Sequence, residues 1–162
     1  MALPDKRKLL DALLARLSEL VAHGASSAKS TARDATHAEA KPENDKDTRA
    51  LEQSYLARGQ AMRVEELVEQ IQVLRFRPLR AYGESDPIGA GALVSLESDA
   101  GVRCVFLAPY GGGVELVVDG VQVLVITPQS ALGALVCGRV LGDEVELRVR
   151  GVPREYVIAE VA

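Results

Sequence analysis

The 162-residue chain contains only two cysteines and two histidines, no tryptophan, and no apolar run near the roughly 20 residues that a membrane-crossing helix needs. Each shortage removes a class of function. Cys104 and Cys137 stand far apart in apolar surroundings, match neither a metal knuckle nor a CxxC redox pair, and are expected as core thiols. With only His23 and His37 available, a histidine metal site or a Ser–His triad has little to work with. The N-terminal leucines are interrupted by Asp11, Arg16 and Glu19 and are followed by no small-residue cleavage site, so a cytoplasmic chain without membrane contact is expected. A net charge of −4 excludes wrapping of duplex DNA by phosphate neutralisation alone.

Glycine and proline are scarce in the first half, and long helices follow from that. Leu10, Leu13, Leu14, Leu17, Leu20 and Val21 recur at spacings of three and four, one face of a helix that starts near Lys8. Beyond Gly24 the rhythm continues in Ala25, Ala28, Ala32 and Ala35, a seam narrow enough for close approach of a second helix. The break comes at residues 39–45, where Pro42 suits the first position of a new helix and Glu43, Asp45 and Asp47 suit its positively polarised end. The second helix is expected from Pro42 to Leu74, with Leu51, Tyr55, Met62, Leu67, Ile71 and Leu74 inward. So short a connection makes the helices antiparallel, with an acidic turn at the tip.

Arg75 to Arg80 ends the helix, and a linker is expected through Gly83 and Asp86-Pro87. After it come six short Val-rich runs: 92–96, 102–107, 114–118, 121–126, 145–149 and 156–161. Asp119-Gly120 predicts a type I′ hairpin. One helix, Ser130 to Cys137, interrupts the strands, with Ser130 as its cap and Gly138 as its stop. The fold class is therefore α+β: a long antiparallel helical hairpin (coiled coil) over residues 1–77, then a small antiparallel β domain with one helix over 78–162. Charge divides likewise, +2 over residues 1–80 and −6 over 81–162, which suggests two parts facing different partners.

The run Ile126-Thr127-Pro128-Gln129-Ser130-Ala131-Leu132-Gly133-Ala134-Leu135-Val136-Cys137-Gly138-Arg139-Val140-Leu141-Gly142-Asp143-Glu144-Val145 resembles the signature of the C-terminal domain of the Gre transcript-cleavage factors. Ala131 stands where that family has proline, and Arg139 where it has lysine. The preceding helical hairpin with an acidic tip resembles the other half of the same architecture, so the resemblance spans nearly the whole chain. It implies an FKBP-like second domain that docks on bacterial RNA polymerase, here through Ser130, Leu132, Gly133 and Asp143. It also implies a hairpin that reaches through the secondary channel towards the active centre.

The same resemblance implies that tip carboxylates assist the polymerase's magnesium while backtracked RNA is cleaved. Glu43-Asn44 matches the family's glutamate and asparagine, while Ala40 occupies the place of its aspartate. Glu39 and Asp45 are the nearby acids that would complete a pair with Glu43, the residue expected to ligand the shared ion. Arg33, Lys41, Lys46 and Arg49 are candidates for contact with the nascent RNA. No tightly bound cofactor is expected, and a single copy is expected to act without being an enzyme itself. Alternatives are a secondary-channel competitor that does not cleave, which Ala40 would permit, and a prolyl-isomerase-like module, for which the second half is poor in aromatics. Scattered charges of mixed sign at the tip also fit a merely solvated helix face.

Overall fold

The computed structural model describes residues 2–39 and 44–162, the side chains of residues 35–39 and 44–47 excepted. Its elements in chain order are α1 (Lys6–Glu39), α2 (Asn44–Phe76), β1 (Leu93–Ser98), β2 (Gly101–Leu107), β3 (Glu115–Val118), β4 (Val121–Ile126), α3 (Ala131–Val136), β5 (Glu144–Val149) and β6 (Val152–Val161). The chain divides into two compact units, residues 14–73 and residues 1–13 with 74–162. None of the described helices is long and apolar enough to cross a membrane.

In the unit of residues 14–73, α1 and α2 form a hairpin. Leu17, Val21, Gly24, Ala28 and Thr31 are among the less exposed positions of α1; Ala50, Gln53, Ala57, Gln60, Val64, Leu67 and Ile71 are among those of α2. Both sets step by alternating threes and fours, a mean of about 3.5, which is the period of a left-handed coiled coil. The helices meet closely where a Cβ on Gly24 would lie 2.9 Å from Val64 Cγ2. In antiparallel register that contact sets Ala28 level with Gln60 and Thr31 level with Ala57.

Such a seam corrects the expected inward face of α2. Leu51, Tyr55 and Met62 are 52%, 65% and 55% exposed, because they fall on the face of α2 opposite the seam. Leu20 is likewise partly outside, at 37%. The seam has a cost in polarity, since Gln53 Oε1 and Gln60 Oε1 are buried without a hydrogen-bond partner. Gln60→Met keeps the length of the side chain and removes the orphaned carbonyl, and is expected to stabilise the hairpin by about 1 kcal/mol. The urea midpoint should rise; a fall would mean that the amide is satisfied and useful.

The other unit is built on a six-stranded sheet in the order β3-β4-β2-β1-β6-β5. Neighbouring strands are antiparallel except β2 and β4, which run parallel from Cys104↔Val123 to Leu107↔Ile126. The expected wholly antiparallel order fails at this pair because β3 intervenes in sequence and folds onto the outer side of β4. The β3–β4 turn is the expected one: Asp119 and Gly120 have φ of 51° and 79°, as a type I′ turn requires. Val94, Leu96, Val105, Leu107, Val145 and Ile158 from the sheet share a core with Leu132 and Val136 of α3.

The opening turns of α1 belong to this unit. Asp5 caps the helix, its Oδ1 accepting from the Lys8 amide at 2.9 Å, and Leu9, Leu10 and Leu13 are buried. Lys8 Nζ pairs with Asp119 Oδ1 at 2.6 Å, a hydrogen bond that raises the lysine pKa and lowers the aspartate's.

The expected linker is likewise part of the fold. Tyr82 is buried and donates from its hydroxyl to the Ala90 carbonyl at 2.9 Å. Lys6 Nζ and the Arg80 guanidinium lie 5.3 and 4.8 Å from its ring centroid. Cys104 is buried and Cys137 half-buried, both as free thiols whose pKa burial raises, as suits inert core cysteines.

Candidate functional site

Three residues were expected as tip carboxylates. Glu39 is the last residue of α1 and Asp45 the second of α2, so the backbone sets two acid-bearing positions on either side of the four-residue link. Glu43 lies in that link, outside the described residues together with Ala40, Lys41 and Pro42.

Magnesium takes hard oxygen donors, commonly one or two carboxylates with water and phosphate completing the shell. The donors flanking the link are of that kind. Among the described residues no group of three or more His, Cys, Asp or Glu could hold a metal. Of the four expected RNA-contact residues, Arg33 and Arg49 are exposed on α1 and α2. Lys46 is in the first turn of α2 with its side chain outside the description, and Lys41 lies wholly outside it.

The four expected docking residues are placed in detail, and each is engaged within its own unit. Ser130 Oγ donates to the Thr127 carbonyl at 2.7 Å and accepts from the Gly133 amide at 3.1 Å, capping α3. Leu132 is buried in the core. A Cβ on Gly133 would fall 1.9 Å from the Thr127 oxygen, so only glycine allows the helix to close against that loop. Asp143 Oδ2 accepts from the Val140 amide at 3.0 Å, and its backbone carbonyl accepts from Ile158 at 2.9 Å. These residues shape the surface more than they provide it. What a partner could touch beside them is a shallow open hollow lined by Arg103, Leu124, Ile126, Ser130, Leu132 and Leu147. Sequence reasoning missed Arg103, Leu124 and Leu147, although their shared sheet face follows from the strand register.

No protein-family model matches the chain, and no curated protein does. Solved structures it is similar to include transcription factors. Gfh1 of Thermus thermophilus is 17% identical, over 93% of this chain and 95% of that one, with a TM-score of 0.38. Gfh1 of Thermus aquaticus is 18% identical, over 93% and 94%, with a TM-score of 0.39. A transcription elongation factor GreA/GreB from Nitrosomonas europaea is 20% identical, over 59% of this chain and 77% of that one, with a TM-score of 0.37. Likenesses this distant assign no function; that rests on the residues themselves.

Proposed function

We propose that this chain binds bacterial RNA polymerase, inserts the α1–α2 hairpin into its secondary channel, and stimulates the polymerase's own cleavage of backtracked RNA. The observation that carries the proposal is the placing of Glu39 and Asp45 at the facing ends of two antiparallel helices, on either side of Glu43. The 26 helical residues 14–39 of α1 make a rod of about 40 Å, and beyond Val21 its side of the seam is the small Gly24, Ala28 and Thr31. That is a shape for carrying a charge into a narrow passage.

In this reading Glu43 holds the second magnesium of the polymerase jointly with the polymerase's own ligands, and Glu39 or Asp45 supports it. Magnesium in that position supplies a water of lowered pKa. Arg33, Lys41, Lys46 and Arg49 neutralise phosphates of the extruded RNA and hold it near the carboxylates. The β-rich unit docks on the polymerase surface, with the Ser130–Asp143 segment fixing the shape of the face it presents.

A second reading is favoured by Ala40, which stands where the resembled pattern has an aspartate: a factor that occupies the channel and competes with cleavage factors without cleaving. A reconstituted backtracked complex separates the two. The first reading predicts that added protein speeds RNA cleavage at least tenfold, within the span that one well-placed acid–base or metal-supporting group contributes (about 10 to 10⁴). The second predicts slower cleavage when a genuine cleavage factor is also present, and stimulation gained on Ala40→Asp. Neither effect, with or without that substitution, defeats both.

A further inference from the structure

The face of α2 opposite its seam is not that of a helix meant for water alone. Of the exposed large apolar side chains of α2, Leu51, Tyr55, Met62, Val73 and Phe76 (52%, 65%, 55%, 45% and 78%) fall on this face, while Leu56 and Val68 lie beside the seam, and such a concentration on one exposed face marks an interaction surface. The spacing shows what kind. Leu51, Tyr55, Arg58, Met62, Glu65, Glu69 and Gln72 step by alternating fours and threes, a second heptad stripe on the same helix. The large apolar members and Arg58 occupy its N-terminal part, and the acids its C-terminal part.

From this asymmetry we infer that the stripe is covered by α2 of a second copy of this chain, running antiparallel. One register sets Arg58 against an acid at both ends of the pair. Arg58 lies level with Glu69 of the second copy, Met62 with Glu65, Tyr55 with Gln72 and Leu51 with Phe76, which is 78% exposed, each pair occurring twice by symmetry. The guanidinium of Arg58 also comes within a turn of Glu65 across the interface, so each arginine is shared between two acids and the central charge is partly offset. At the flank Glu66 stands beside Gly59, where a Cβ would have nothing within 4 Å and the second helix can approach freely. A parallel pairing would set Arg58 against Arg58 and Glu69 against Glu69. The charge pattern therefore selects both the partner and its direction.

Because charged layers replace apolar ones in the middle of the stripe, the dimer is weak, reversible and sensitive to salt. It modifies the expectation of a single copy: the chain is a monomer when dilute and pairs when concentrated. Where the hairpin enters a channel that admits one helix pair, the dimer is a reserve form that cannot enter. That consequence rests on the function proposed above; the association does not.

Sedimentation velocity of the full chain, from micromolar to millimolar concentration, tests it without polymerase. The sedimentation coefficient of the wild type should rise to that of a dimer and fall back in high salt. Arg58→Glu alone and Glu69→Arg alone should each stay monomeric with unchanged circular dichroism, both positions being exposed. Mixing the two variants should restore a dimer, since each then meets an opposite charge at both layers. A wild type that is monomeric throughout overturns the proposal, as do single variants that associate like the wild type or a mixture that does not pair. A monomeric chain whose Tyr55→Glu variant loses polymerase binding would assign the stripe to a partner's helix instead, and overturns it equally.

Discussion

Gly133→Ala is expected to be the most damaging single-methyl change in the described part of the chain, costing about 3 kcal/mol, the upper range for forcing a group into a filled site. The added carbon would stand 1.9 Å from the Thr127 carbonyl oxygen and 2.8 Å from Ser130 Oγ. Neither neighbour can yield cheaply. The Thr127 oxygen is held by the Ser130 amide at 3.0 Å and the Ser130 hydroxyl at 2.7 Å, and that hydroxyl in turn accepts from the Gly133 amide. Relieving the clash means opening the cap of α3 and lifting Leu132 and Val136 from the core. Ser130→Ala, which loses the cap but adds nothing, should cost only about 1 kcal/mol. Thermal unfolding followed in the β-rich unit checks both; equal midpoints for the glycine and serine variants would show that the loop moves aside.

Glu43→Gln is expected to reduce stimulated RNA cleavage about 100-fold, the upper range of what losing even a supporting group around a metal costs, while leaving polymerase binding intact. The substitution keeps the side chain's length and hydrogen-bonding capacity and removes its charge, so it separates ligation of a cation from simple occupancy of space. Glu52→Gln, on the exposed surface of α2, is the control and should cleave as the wild type does. Cleavage that survives in Glu43→Gln but is lost in a Glu39→Gln or Asp45→Asn variant would move the chemistry to the flanking acids.

Where local pattern and tertiary environment agree, the fold is legible from residue order. The six Val-rich runs became the six strands, Asp119-Gly120 became a turn with two positive φ values, and Ser130 caps α3 through the Gly133 amide. In each case the chemistry acts within a few residues. The inward face of α2 was not legible by counting large apolar residues: the contact of Gly24 with Val64 goes with a seam that holds Ala57 and Gln60, and Tyr55 and Met62 fall on the opposite face. The polar–apolar rhythm of α2 holds two heptads on opposite faces, and residue size alone does not say which of them α1 covers. The linker failed for a similar reason. Tyr82 and Ile88 are ordinary members of a turn-rich segment until the ring finds Lys6, Arg80 and the Ala90 carbonyl. As for the candidate site, the acids at the end of the hairpin followed from Pro42 and the spacing around it. The docking segment's inward commitments appear only once the loop at Thr127 is folded over Gly133.

The central claim is that the link between α1 and α2 reaches the polymerase's active centre. A photo-crosslinking residue in place of Glu43, in complexes backtracked by a known distance and labelled at the RNA 3′ end, measures it directly. The account predicts that position 43 crosslinks to the extruded RNA or to the catalytic loop that holds the polymerase's metal, while the same probe at exposed Val117 of β3 does not. A probe at position 43 that labels only the outer surface of the polymerase, or nothing, would contradict it.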